Sequence, residues 1–344
     1  MLLLTLAFAM LPGGTLFAGP PQALSLGAAR DARVPPDEDA KLAFSSDGKI
    51  LHAIGKARAI AYAVGTGTVT STVNLPPDTK VLSITSDGAT AVINMDVSGE
   101  HARLFLFDTQ MGQQQEIPAT WYVAGPDAYA AISGDGRLVS VYDVSGSVST
   151  TPPMIVRVYD WSAKSLVVEK LSEIFSVHGL TNGGVTTDGA IEFVNDRAGR
   201  KIFDLKSGAM IGLFSYDSVR SPDGAWVVEF PDRSYDESAS KDVLLKEGAT
   251  GKTHGKLDAF VEDYEANGSM QGAFCGKTGR FILGRGKAVE VFAIPSGRLL
   301  ASFPVASWRG ANADETDPVT VACSPTGTRV AILSGSRLTV HDLR

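Results

Sequence analysis

The chain has 344 residues, of which 44% are hydrophobic and 20% charged, with 36 glycines and 17 prolines and a formal net charge of -7. That is enough apolar content for a sizeable core and too little charge for a disordered chain. An acidic chain with no Lys/Arg cluster also lacks the basic face needed to displace counterions, so neither nucleic acid nor an anionic membrane surface is expected as a partner.

Residues 1–18 are apolar and uncharged, are interrupted by Pro12, Gly13 and Gly14, and are followed by small residues. The segment resembles a signal peptide and is short and broken for a membrane span, which places the expected mature region, 19–344, in the periplasm or outside the cell with no integral membrane association. Next comes Ala23–Gly27, which alternates like a strand.

From there the chain repeats. A Ser/Thr-rich dipeptide leads into Asp47-Gly48, Asp87-Gly88, Asp135-Gly136, Asp188-Gly189, Asp223-Gly224, Thr278-Gly279 and Thr326-Gly327. The seven sites recur at about 46 residues, close to the length of one four-stranded propeller blade. Short apolar runs flank each site, as in Leu42–Phe44 and Val139–Val141. Glycine accepts positive φ cheaply, so an Asp-Gly pair between two such runs predicts a hairpin. A third run ends in Phe107-Asp108, Tyr159-Asp160, Phe203-Asp204 or His341-Asp342, and a second turn follows with Gly67, Gly112, Gly208, Gly251 or Gly297. Outer runs such as Met210–Leu213 and Leu299–Phe303 complete four strands per repeat. Almost no helix is expected.

The segments Ser221-Pro222-Asp223-Gly224-Ala225-Trp226 and Leu338-Thr339-Val340-His341-Asp342-Leu343 resemble WD40-like and YVTN-type β-propeller repeats. The Gly-His and Trp-Asp dipeptides of strict WD40 repeats are missing. The resemblance implies an all-β, seven-bladed β-propeller of four-stranded antiparallel blades. The last repeat shows only three strands, so Ala23–Gly27 is expected to complete it by pairing with Arg337 to Val340.

The place three residues before each turn's Asp or Thr is held by Phe44, Ile84, Ile132, Val185, Arg220, Cys275 and Cys323. An apolar slot between blades is the natural reading, and Arg220 breaks it. Equivalent residues on neighbouring blades are expected to lie too far apart for a disulfide, so the two cysteines read as buried free thiols, with a disulfide or a metal pair as alternatives. His52, His101, His178, His254 and His341 stand in different repeats without HxH or HxxxH spacing, so no metal site is expected. The run Gly248–Lys252 is similar to the turn of quinoprotein propellers, but Gly255 stands where those repeats place Trp, and no cofactor is expected.

The long connections of repeats five to seven are acidic and aromatic. They carry Asp232, Asp236, Glu237 and Asp242, then Asp258, Glu262, Asp263 and Glu265, then Asp314, Glu315 and Asp317, against Arg233, Lys241 and Arg309. Tyr235, Phe260, Tyr264 and Trp308 are interleaved. Aromatic anchors inside a charged rim suit a docked protein, here one offering a basic segment; solvated acidic loops and a calcium site are the other readings. The partner-binding candidates are Asp232, Tyr235, Asp236, Glu237, Glu262, Asp263, Tyr264, Trp308, Asp314, Glu315 and Asp317. The favoured function is a monomeric, non-catalytic protein-interaction module without catalytic residues. The alternative is a lactonase-like or other hydrolase at the mouth of a central channel, for which Glu100, His101, Glu173 and His178 are the best candidates.

Overall fold

The structure, a computed structural model, describes residues 30–31, 40–95, 103–117, 129–143, 154–172, 180–186, 190–195, 199–215, 218–231, 242–260, 271–276, 278–285, 288–304, 319–335 and 337–343. These residues form seven four-stranded antiparallel sheets. Among them there is no helix, and so none long and apolar enough to cross a membrane.

Sheet one is a meander of Lys41–Phe44, Ile50–Ile54, Arg58–Ala63 and Thr68–Asn74. Sheets two to six repeat that order with first strands at Lys80–Ile84, Tyr129–Ile132, Leu180–Val185, Ser218–Arg220 and Gln271–Phe274. Sheet seven begins with Val319–Cys323 and takes its fourth strand from the N-terminal side. That strand is Arg30–Asp31, with Arg30 opposite Val340 and Asp31 opposite Thr339. The expected pairing is thus made by a later segment, and Ala23–Gly27 lies outside the described residues.

Each sheet packs on the next in the chain. Ile54, Ala59 and Leu75 of sheet one meet Ile93, Phe105 and Phe107 of sheet two, and Val92 and Leu106 of sheet two meet Ile132 and Val141 of sheet three. Sheets three and four run their first strands side by side. Ile202 and Phe214 of sheet four cover Val227 of sheet five, Leu245 and Leu257 of sheet five cover Phe281 and Phe292 of sheet six, and Val289 and Val291 of sheet six cover Val321 and Val330 of sheet seven. Sheet seven in turn lays Ala331, Leu333 and Val340 against Phe44, Leu51 and Tyr62 of sheet one. A sheet with neighbours on both faces must be apolar on both, which is why middle strands such as Ile50–Ile54 and Leu104–Asp108 are near-continuous hydrophobic runs. The fourth strand, Thr68–Asn74, reads Thr-Val-Thr-Ser-Thr-Val-Asn and alternates between exposed and half-buried, as an edge against water should.

The recurrent turn has a chemical explanation. In sheet three the Ser133 hydroxyl donates to Asp135 Oδ1 at 2.6 Å and accepts from the Leu138 N–H at 2.8 Å. The Asp135 carboxylate accepts from the Arg137 N–H at 3.0 Å. The same closure is built by Ser45 and Asp47, by Thr85 and Asp87, and by Ser221 and Asp223. Serine or threonine is needed two residues before Asp because a single hydroxyl must both donate and accept. The N–H of Lys49 and then the Ser45 hydroxyl hold the Asp47 carboxyl below its ordinary range.

The second turn is capped by the Asp that ends the third strand. Asp108 Oδ1 accepts from the N–H groups of Gln110 and Met111 at 2.8 Å each, and Asp204 Oδ1 accepts from the Ser207 N–H at 2.6 Å and its hydroxyl at 2.7 Å. Four residues after the end of that strand the backbone turns left-handed, with Gly67, Gly112, Gly208, Gly251 and Gly297 at φ 66 to 73°. In repeat three that place is taken by Lys164, at φ 50°.

Candidate functional site

The eleven partner-binding candidates, Asp232, Tyr235, Asp236, Glu237, Glu262, Asp263, Tyr264, Trp308, Asp314, Glu315 and Asp317, lie outside the described residues, as do Glu100, His101, Glu173 and His178. Two other carboxylates of the same acidic connections are described, and both fasten strands. Asp242 pairs with Lys256 Nζ at 3.4 Å within sheet five. Asp258 Oδ2 accepts from the Leu299 N–H at 3.1 Å and ties sheet five to sheet six.

Three of the histidines are described. His254 stands edge-on to Trp226 with ring centroids 5.0 Å apart, and His341 Nε2 is 3.0 Å from Thr339 Oγ1. His52, on the second strand of sheet one, is 2% exposed and reaches the turn of sheet two. A Cβ placed on Gly88, at φ +69°, would stand 2.8 Å from the His52 Cβ, so this contact requires glycine. Burial pushes the His52 imidazole below its ordinary value, against the pull of Asp87 and Asp108.

The cysteines overturn the free-thiol reading. Cys275 and Cys323 form a disulfide with their Cα atoms 5.0 Å apart, and it joins the first strands of sheets six and seven where they end. The spacing between equivalent residues is set by how closely the first strands approach, and at this end they approach closely enough for the bond.

Arg220, the exception in the apolar slot, closes the first strand of sheet five. Its Nη1 donates to Thr186 Oγ1 of sheet four at 3.2 Å. Both residues line a cavity of about 360 Å³, together with Arg200, Ser86, Ser218 and Ser221. Ser86 and its neighbour Gly134 bring in the turns of sheets two and three, tied to each other by the Ser86 N–H donating to the Gly134 carbonyl at 2.9 Å. The space therefore borders the first strand of sheet five along its length, from Ser218 to Arg220, and the ends of the first strands of sheets two to four. Two of its walls come from one register: Arg220 and Thr186 sit at equivalent or adjacent slots of neighbouring repeats. Arg200 belongs to the third strand of sheet four, opposite Phe214, and nothing in the sequence singles it out. Arg220 was signalled by the broken pattern of the slot. The described lining carries two guanidinium groups and no carboxylate.

No protein-family model matches this chain, and no curated protein matches it either.

Proposed function

We propose that the seven sheets are the blades of a WD40-like β-propeller, exported from the cytoplasm and acting as a monomeric, non-catalytic protein-interaction module. The observation that carries the reading is the packing of sheet seven on sheet one through Leu333 and Val340 against Phe44 and Tyr62, added to the consecutive packing of all the others. In such a ring, connections far apart in the chain come to share one end. The acidic, aromatic connections of repeats five, six and seven then form one continuous surface, rigidly based on strands fastened by Asp242 and Asp258. Tyr264 and Trp308 are the anchors, and Glu262, Asp263, Asp314 and Glu315 the rim that selects a basic segment on the partner.

The test is affinity capture from the extracytoplasmic fraction with the full chain and with Glu262, Asp263, Asp314 and Glu315 all changed to Lys. The parent chain is expected to retain a partner at low salt and release it as salt rises, because rim charges act through screened attraction. The variant is expected to retain none. Retention of the same partner by both chains would overturn the reading.

A further inference from the structure

In every sheet the fourth strand is the outermost, and in sheet three it differs from the rest. Ser165–Ser172 runs for eight residues, and among the described residues no strand pairs with its outer side. We propose that this edge is a docking site for an extended segment of a partner protein, which adds to sheet three as a fifth strand. The site is separate from the acidic connections and goes beyond the reading given for them.

Three observations carry that occupant. The first is the backbone itself. An edge strand turns the N–H and C=O of alternate residues away from its ladder, and another extended backbone offers acceptors and donors at the matching spacing. The second is that this edge is apolar and long where the others are guarded. Thr68–Asn74 is threonine-rich, Gln114–Glu116 is three polar residues, and Leu299–Pro304 ends in proline. Thr253–Phe260 is covered by sheet six, whose Gly297 carbonyl accepts from the Asp258 N–H at 2.9 Å. Met210–Phe214 is apolar too, but has only five residues, with Gly212 in the middle. On Ser165–Ser172, Leu166 is 48% and Val167 46% exposed. Such side chains stabilise a strand by meeting apolar neighbours across the pair, and two of them in the open at an edge mark an interaction surface. The third observation is charge. The Glu169 carboxylate is engaged by Arg157, with Nε 2.8 Å from Oε2. Lys164, exposed in the turn that leads into the strand, makes no ion pair among the described residues. The incoming segment is therefore apolar along its length and acidic where it passes Lys164.

Fluorescence anisotropy of a labelled heptapeptide that alternates Val and Thr and ends in Asp, titrated with the full chain, tests the assignment. Saturable binding is expected. Two N-methylated forms of the peptide, one modified at odd and one at even amides, keep every side chain. One of them is expected to bind at least tenfold more weakly than the other, because only one set of amides faces the edge. Val167→Lys is expected to weaken binding at least fivefold by placing a guarding charge on the edge. Thr70→Lys, at the matching bulge of sheet one, is expected to leave it unchanged. Should Val167→Lys fail to fold by circular dichroism, Lys164→Glu decides, with a loss of at least threefold expected. No saturable binding by the parent chain, equal affinity for the two methylated peptides, or parental affinity in the deciding variant would each overturn the proposal. Dimerisation of the parent chain that Val167→Lys abolishes would overturn it as well, because the occupant would then be a second copy.

Discussion

Single side chains in this protein act by satisfying a turn or by filling a gap between sheets. Lys164 shows the first kind by its cost. It occupies, at φ 50°, the left-handed place that other repeats give to glycine, where a Cβ is unfavourable by roughly 1–2 kcal/mol. Lys164→Gly removes that strain but frees the unfolded chain, so a net gain of about 0.5–1 kcal/mol is expected in urea unfolding. An unchanged or lower midpoint would contradict the turn analysis. His52 shows the second kind. Its folded pKa lies below the ordinary 6.5 because burial disfavours the imidazolium. The unfolded chain therefore binds the proton more readily, and the stability held above about pH 6.5 is lost progressively as pH falls through the lowered folded pKa. Melting temperatures measured from pH 8 to pH 5 are expected to fall on the acid side, and less steeply in His52→Gln. An identical slope in both chains would show that the loss arises elsewhere.

At the scale of elements, the turns that join first to second strands are where neighbouring sheets are tied together. Arg280 Nη1 donates to the Gly327 carbonyl at 2.9 Å, from sheet six to sheet seven, and Arg329 Nη1 to the Gly48 carbonyl at 3.0 Å, from sheet seven to sheet one. The Cys275–Cys323 disulfide reinforces the first of these joints and closes a loop of 48 residues. Constraint of the unfolded chain by a loop of that length is worth about 2–5 kcal/mol. Replacing both cysteines by Ser is therefore expected to lower the unfolding free energy by that amount, and dithiothreitol should destabilise the parent chain but not the variant. Equal stability with and without reductant would remove the cross-link from the description. The two-residue strand Arg30–Asp31 supplies the fourth strand of sheet seven. A chain-terminal segment joins a sheet wherever its backbone is presented with an open edge, so the alternation that marked Ala23–Gly27 could not fix which residues pair.

For the whole molecule, the amino-acid sequence by itself determined the number of sheets, their four-strand make-up and the position of six of the seven Asp-Gly or Thr-Gly turns, Asp188-Gly189 lying outside the described residues. The reason is local: Ser/Thr-x-Asp-Gly closes through hydrogen bonds spanning a few residues, as Ser133 and Asp135 do, and apolar runs of strand length bracket each closure. Such signals survive in any context because both partners are near in the chain. Only the tertiary structure decided that Cys275 and Cys323 come within bonding distance, that Arg220 turns onto Thr186, and that Arg200 lines the same cavity. Those facts depend on how closely neighbouring sheets approach and which way a long side chain turns in the gap between them. No residue spacing encodes such distances, because they are set by packing among residues far apart in the sequence.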